Sequence, residues 1–308
     1  MDPLVGVLCG GRYLVTQRLA EGAMGVVYRG ERIGLGRSVA IKFLREPRAE
    51  LRRRFEIEAK AASRMSHPNC VPVIDYGIDE DTPFLVMDFV GGKTLRELLD
   101  DGPLSIAHAL RIVQQILAGL EHIHAHGVVH RDLKPENILV WADAMGEHVQ
   151  IADFGLAKVD QLCVSQHVAI GTPTYMAPEQ TTGSPVDPRT DLYGVGILLF
   201  ELLADQPPFR GATPFDTMAL HRDRAVPWFA DLAPDRLIPP ALEAVVRRAL
   251  AKDPADRYDS ARALAAALDD AVTSALEESN EIELPRSSEN TFAILIAALV
   301  GALWLALL

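Results

Sequence analysis

The sequence predicts an α+β protein of two lobes, in which a small β-rich lobe precedes a larger helical lobe and an apolar helix follows both. Short apolar runs separated by glycines fill residues 13–44, which is typical of consecutive strands, and two more strand-like runs follow at residues 71–76 and 84–89. After residue 91 the apolar residues recur at helical spacing instead. The final stretch, residues 292–308, contains no charged residue. These observations divide the chain into a small lobe, a large lobe and a tail.

One helix and five strands are predicted in the small lobe, residues 13–88. The helix covers residues 51–66, where Leu51, Phe55 and Ala59 fall along one face. The strands are the apolar runs at residues 13–19, 26–31, 38–43, 71–76 and 84–89.

Helices are predicted throughout the large lobe, residues 91–272. The longest, residues 106–126, carries Leu110 and Leu117 at helical spacing, and Gly127 suits the position just past its end. Further helices are predicted at residues 191–203, 241–251 and 260–272. A cleft between two lobes commonly binds a small ligand, so we expect the functional site there.

The composition excludes two classes of site. A formal net charge of -12 argues against a nucleic-acid-binding surface, which needs a basic patch. The cysteines Cys9, Cys70 and Cys163 form no CxxC pair, so we expect reduced thiols in a cytosolic domain instead of a zinc site or a disulfide framework.

Charged residues that suit phosphoryl transfer cluster in two short motifs. Residues 130–137 read His-Arg-Asp-Leu-Lys-Pro-Glu-Asn, and residues 153–155 read Asp-Phe-Gly. Transfer of a phosphoryl group requires an aimed hydroxyl, a metal held by oxygen ligands and neutralisation of developing charge. Magnesium prefers hard oxygen ligands, which Asn137 and Asp153 supply.

With these motifs, the sequence resembles the protein kinase family, specifically the bacterial serine/threonine kinases that are similar to eukaryotic ones, over residues 13–272. The resemblance implies the bilobal protein kinase fold, ATP as phosphate donor, protein substrates, and Mg²⁺ or Mn²⁺ as cofactor. It implies that Asp132 accepts or orients the proton of the substrate hydroxyl, that Lys134 lies beside the transferring group, and that Asn137 and Asp153 bind the metal.

The resemblance also assigns a nucleotide-binding set. The glycine-rich loop is imperfect, because Ala20 stands where the family has its first glycine. Lys42 matches the lysine that contacts the α- and β-phosphates, and its expected partner is Glu58, with Glu56 as the competitor. The other members of the set are Leu19, Gly22, Gly25, Val27, Ala40, Met87, Asp88 and Val90.

The stretch from Asp88 to Gly92 is the predicted hinge between the lobes. By resemblance, Met87 lies beside the adenine, and backbone groups of Asp88 and Val90 form hydrogen bonds with its edge.

Two segments favour serine or threonine over tyrosine as the target. One is Lys-Pro-Glu at residues 134–136, and the other is residues 171–179, Gly-Thr-Pro-Thr-Tyr-Met-Ala-Pro-Glu. By resemblance, the Thr172 hydroxyl bonds to Asp132 and Lys134 and helps to form the floor for the substrate.

Ser165 is the hypothesised autophosphorylation site. It is the hydroxyl residue of the expected activation loop, residues 156–170, and Arg131 matches the arginine that often pairs with a phosphate there. The alternatives left open are constitutive activity and control through a homodimer.

Three further residues are expected to have structural roles. The resemblance pairs Glu179 with Arg257 as a buried ion pair. Asp191 is expected to open a helix and to accept hydrogen bonds from the backbone of residues 130–137, which we call the catalytic loop.

The tail is interpreted as a membrane anchor. Residues 274–290 are polar and acidic and are predicted to be a linker. Residues 292–308, as a helix with a rise of about 1.5 Å per residue, would extend about 26 Å, close to the roughly 30 Å of a bilayer core. We therefore expect a single-pass transmembrane helix with the kinase domain on the cytoplasmic side, where ATP is; the alternative is a helix docked on that domain.

Two other functions are weighed against catalysis of protein phosphorylation. A membrane-tethered pseudokinase scaffold would be expected to lack Lys42, Asp132 or Asp153, and all are present. A small-molecule phosphotransferase of related fold is disfavoured by residues 172–179, which match a peptide-binding floor.

Overall fold

The small lobe is built on an antiparallel sheet of six strands in the order β1-β2-β3-β4-β6-β5. The computed structural model describes residues 2–22, 25–45, 49–153 and 173–281. The strands are β1 (Leu8–Cys9), β2 (Tyr13–Glu21), β3 (Gly25–Arg32), β4 (Arg37–Leu44), β5 (Val73–Asp79) and β6 (Thr82–Asp88). The five predicted strands are confirmed. The two-residue strand β1 was missed, since it is too short to carry a periodic signal.

Apolar clusters pack on both faces of this sheet. Tyr28, Ile41 and Phe84 belong to one cluster. The other joins Phe55, from helix α1 (Ala49–Ala62), to the opposite face. Helix α1 was predicted to reach residue 66 but ends at Ala62. Just beyond Ala62 the hydrogen bonds change to the i→i−3 pattern, since the N–H groups of Arg64 and Met65 donate to the carbonyls of Ala61 and Ala62, and this tightened turn ends the α-helix.

The large lobe combines a second sheet with helices. The sheet consists of β7 (Lys93–Thr94), β8 (Ile138–Asp143) and β9 (Gly146–Ile151). The helices are α2 (Leu95–Asp100), α3 (Ile106–Ala125), α4 (Pro178–Thr182), α5 (Pro188–Ala204), α6 (Pro214–Asp223), α7 (Phe229–Leu232), α8 (Pro240–Ala249) and α9 (Ala261–Glu281). The predicted division into a β-rich lobe and a helical lobe is confirmed.

Helix α5 is the centre of the large lobe. All its residues from Thr190 to Ala204 are buried, and α3 and α8 pack against it. It begins at Pro188, three residues before the predicted start, because Asp187 caps it and a proline suits the first helical position. Helix α3 ends as predicted, with Gly127 at a φ of 73° just beyond it.

Helix α9 extends further than the sequence predicted. It runs through Glu281 and thus includes residues 274–281 of the predicted acidic linker, where Ala275 and Leu276 remain half-buried. No helix within the described part of the chain is long and apolar enough to cross a bilayer. The predicted transmembrane helix at residues 292–308 lies outside the described residues.

Candidate active site

Lys42 and Asp153 meet where the two lobes face each other. Lys42 lies on β4, its side chain is 8% exposed, and its Nζ is 2.8 Å from Oδ1 of Asp153. Asp153 follows β9 and has a φ of 56°, a left-handed conformation that non-glycine residues seldom adopt. Such strained residues concentrate at functional sites.

Asp132, Lys134 and Asn137 lie together in the catalytic loop. Lys134 Nζ is 3.3 Å from Oδ2 of Asp132. Asn137 Nδ2 donates to the carbonyl of Asp132 at 2.8 Å and to its Oδ2 at 3.2 Å. The loop is joined to the approach to Asp153, since Ala152 N–H donates to the Asn137 carbonyl at 2.8 Å. The structure thus brings the predicted catalytic and metal-binding residues to one location.

Asp191 holds the backbone of this loop from below. Its Oδ2 accepts from the N–H of His130 at 2.8 Å, and its Oδ1 accepts from the N–H of Arg131 at 2.8 Å. His124 Nε2 lies 2.8 Å from the same Oδ2. Arg131 has a φ of 65°, so these bonds hold a conformation that the chain would otherwise avoid. The predicted role of Asp191 as an acceptor is confirmed.

The oxygen atoms around the catalytic loop suit a hard divalent cation. The hydrogen bonds that Asn137 Nδ2 donates leave its amide oxygen as the group that could bind a metal, together with the Asp153 carboxylate. Magnesium typically takes one or two protein ligands and completes its shell with water and substrate phosphates. The described residues contain no cluster of three or more His, Cys, Asp or Glu side chains suited to a metal.

The predicted adenine site is lined from both lobes. Ala40, Met87 and Val90 belong to an apolar cluster that also contains Leu139 from β8 and Ala152 from the segment after β9. The sequence prediction did not include Leu139 and Ala152. Only their positions in the sequence could have indicated them, because Leu139 lies two residues after Asn137 and Ala152 directly precedes Asp153.

Hydrogen bonds at the hinge limit which atoms of Asp88 could contact a ligand. Its N–H already donates to the carbonyl of Pro72 at 3.0 Å, and its carboxylate pairs with Arg37. The expected contact of Asp88 with adenine is therefore restricted to its carbonyl oxygen. Val90, the second predicted hinge contact, follows the end of β6.

The glycine-rich loop lies between β2 and β3. A Cβ at Gly25 would come within 2.1 Å of the Phe43 carbonyl oxygen, so this position requires glycine. Gly22 N–H donates to the carbonyl of Gly25 at 2.9 Å. Ala20 pairs with Val27 in the strand register, an extended conformation that any residue adopts, which explains how an alanine replaces the first glycine. Leu19 is exposed on β2.

A buried ion pair supports the floor of the large lobe. Arg257 donates to the two carboxylate oxygens of Glu179 at 2.7 and 2.8 Å, as predicted, and Thr190 donates to the same carboxylate at 2.8 Å. Burial alone would raise the pKa of Glu179, but the hydrogen bonds and charge of Arg257 outweigh it and hold that pKa below its usual range.

Some predicted site residues, or their side chains, lie outside the described part of the chain. Ser165 and Thr172 lie outside the described residues, as do Phe154 and Gly155 of the Asp-Phe-Gly motif. Glu58 belongs to α1, but its side chain is not among those described. The roles assigned to these residues stay predictions.

Comparison with known proteins places this arrangement in a family. A profile of the protein kinase domain matches residues 13–268. Serine/threonine-protein kinase pkn3 of Myxococcus xanthus is 39% identical over 306 residues, which cover 96% of this chain and 55% of the relative. PknL of Mycobacterium tuberculosis is 37% identical over 293 residues, which cover 93% of this chain and 72% of PknL.

The fold is also similar to a solved kinase domain. The crystal structure of the Mycobacterium tuberculosis PknI kinase domain, determined as a double mutant, superposes with a TM-score of 0.72 at 29% identity, covering 88% of this chain and 99% of that one. The chain spans only part of several relatives, from 55% of pkn3 to 32% of pkn2 of Myxococcus xanthus.

Proposed function

This chain belongs to the protein kinase family, and we propose that it transfers the γ-phosphate of ATP to serine and threonine hydroxyls of protein substrates. The observation that carries the proposal is the convergence of Lys42, Asp132, Asn137 and Asp153 at the junction of the lobes. A phosphoryl-transfer site needs these functional groups, and little else, from the protein.

Each residue has a role that follows from its position and charge. Lys42 supplies a positive charge for the nucleotide phosphates, and its burial strengthens that attraction. Asp132 accepts the hydroxyl proton of the substrate, and Lys134, 3.3 Å from it, stabilises charge on the transferring group. Asn137 and Asp153 would hold Mg²⁺ or Mn²⁺, which neutralises charge on the β- and γ-phosphates when bound.

Serine and threonine specificity is supported by the relatives and by the sequence. The relatives pkn3, pkn2 and PknL are named as serine/threonine-protein kinases. Residues 134–136 and 171–179 match the form typical of such kinases. We infer that Thr172 helps to build the substrate floor.

Membrane attachment and activation belong to the same proposal. The uncharged stretch at residues 292–308 supports a single-pass anchor with the kinase domain in the cytoplasm. Ser165 is proposed as an autophosphorylation site that pairs with Arg131. Membrane fractionation of the full chain and of a chain truncated after residue 291 tests the anchor. Recovery of both chains in the soluble fraction would contradict it.

The activity is tested by incorporation of radiolabelled phosphate from ATP into a generic protein substrate. The full chain is expected to label it, and Asp132→Asn to lose nearly all activity. Asp143→Asn, an exposed aspartate on β8, is the matched control. Equal labelling by the Asp132 variant, or none by the unaltered chain, would contradict the proposal. Phosphopeptide mapping of active protein tests Ser165.

A further inference from the structure

A second charged cluster adjoins the catalytic loop; we call it the Arg96 cluster, and it consists of Arg96, Glu136, Tyr175 and Glu201. Arg96, on α2, contacts Glu136 in the turn at residues 135–137, with Nε 3.4 Å from Oε1. Its Nη2 lies 3.0 Å from Oε1 of Glu201 on α5 and 2.6 Å from the Tyr175 hydroxyl. Tyr175 donates to Oε2 of Glu201 at 2.5 Å.

One end of the Arg96 cluster is buried and the other is open. The side chain of Glu201 is only 7% exposed, whereas that of Glu136 is 50% exposed. A carboxylate as buried as Glu201 needs a cation or several donors, and Arg96 provides the cation. Burial and the charge of Glu201 raise the pKa of Tyr175, so this phenol stays neutral and donates its proton. The cluster is thus a pair of carboxylates, one buried and one exposed, that are bridged by the Arg96 guanidinium.

The open end lies next to the place where a substrate hydroxyl would be phosphorylated. Glu136 shares its turn with Asn137, whose amide bonds to Asp132. Tyr175 follows Thr172 by three residues, in the segment interpreted as the substrate floor. A peptide with its hydroxyl at Asp132 would therefore have neighbouring residues close to Glu136.

We propose that Arg96 determines substrate specificity, because its guanidinium occupies the position between Glu136 and Glu201 that an arginine or lysine of a peptide substrate could otherwise take. The kinase would then accept peptides that have no basic residue beside the phosphorylated hydroxyl. Removal of Arg96 would expose two carboxylates and create a preference for a basic residue. This inference rests on the proposed kinase function.

The test uses peptides with one serine in a neutral background and a single arginine scanned through the flanking positions. For the unaltered chain, kcat/KM is expected to vary less than about threefold over the scan. For Arg96→Ala, one flanking position is expected to give a gain of about tenfold, the value of one charge-assisted interaction of about 1.4 kcal/mol.

Two controls separate this effect from a general loss of structure. In Arg96→Ala combined with Glu136→Gln, the gained preference should largely disappear, because only the buried carboxylate remains. Arg262→Ala, at an exposed arginine on α9, should behave as the unaltered chain. Arg96→Gln replaces Arg96→Ala if thermal unfolding shows the latter to be unfolded.

Each outcome decides the question. A strong preference for arginine in the unaltered chain would overturn the inference, and this scan is decisive even if neither Arg96 variant folds. Variants that phosphorylate the neutral peptide without gaining a preference for arginine would overturn it while leaving the kinase function intact. If no protein phosphorylates any peptide, the proposed function fails, and this inference fails with it.

Discussion

The ammonium group of Lys42 lies 2.8 Å from a carboxylate oxygen of Asp153, and this contact joins β4 of the small lobe to the segment that follows β9 in the large lobe. The lysine is nearly buried, at 8% side-chain exposure, whereas the aspartate is 30% exposed. A charge fixed in so dry a setting interacts strongly with any anion that enters beside it. The pair therefore marks where the nucleotide phosphates are expected to bind.

Lys42→Met should lower kcat by about 10²- to 10³-fold, the usual cost of removing one preorganised charge or donor. The measurement is incorporation of labelled phosphate at saturating ATP. Lys60→Met is the control, since Lys60 is 72% exposed on α1 and pairs only with a neighbour on the same helix, Glu56, in the contacts described. A Lys42 variant within threefold of the unaltered chain would contradict the role given to this lysine.

Asp191→Asn should weaken the catalytic loop. The carboxylate accepts from two backbone N–H groups and contacts His124, and an asparagine can offer only one of its two side-chain atoms as an acceptor. We expect a loss of about 1–3 kcal/mol in the free energy of unfolding and a fall in kcat.

Urea unfolding and the phosphate-transfer assay measure the two effects of Asp191→Asn. Asp187→Asn is a matched control on the same helix, because Asp187 caps α5 and asparagine caps a helix equally well. Equal stability of the two variants would show that the hydrogen bonds to Asp191 are not needed to hold the loop.

The sequence predicted the parts of the site that are local in the chain. Asp132, Asn137 and Asp153 belong to two short motifs whose residue types are those that phosphoryl transfer requires. Their presence in one site could therefore be predicted before any fold was known. Leu139 and Ala152 were missed because an alanine or a leucine has no distinctive chemistry. Their part in the apolar cluster arises only when the two lobes pack together.

Contacts between residues far apart in the sequence were predicted only where a known family supplied them. The Glu179–Arg257 pair, 78 residues apart, was predicted only through resemblance to a family. The Arg96 cluster had no such guide, since Arg96 and Glu201 are 105 residues apart and their side chains meet only in the folded large lobe. The predicted ends of helices were less accurate, because apolar periodicity does not show where a last turn tightens, as it does after Ala62.

Glu179→Ala should destabilise the fold by about 3–5 kcal/mol, because it leaves the Arg257 guanidinium buried without its counterion. Replacing both residues with methionine preserves stability at many buried ion pairs, but here we expect the double variant to lose stability. Arg257 also donates to the carbonyls of Ala251, Arg189 and Lys252, which would lose their donor. Urea unfolding of Glu179→Ala and of the double methionine variant measures both effects, and a double variant as stable as the unaltered chain would contradict this account.

His221 should make stability depend on pH. The side chain is fully buried on α6, its Nδ1 lies 2.9 Å from the Tyr193 hydroxyl, and burial together with the charge of Lys252 lowers its pKa from 6.5 to about 4. Between about pH 6.5 and pH 4 the unfolded chain therefore binds a proton that the folded chain does not. The free energy of unfolding falls as the pH drops through that interval, and His221 alone contributes a loss of about 2 kcal/mol by pH 5.

His221→Asn removes this titration while keeping a polar atom near the position of Nδ1, so the variant should lose less stability than the unaltered chain between pH 7 and pH 5. The difference between the two slopes isolates His221 from the other titrating groups, because these are shared. Urea unfolding at a series of pH values measures both proteins, and parallel curves for His221→Asn and the unaltered chain would show that this imidazole is protonated in the folded state at pH 5, despite its burial.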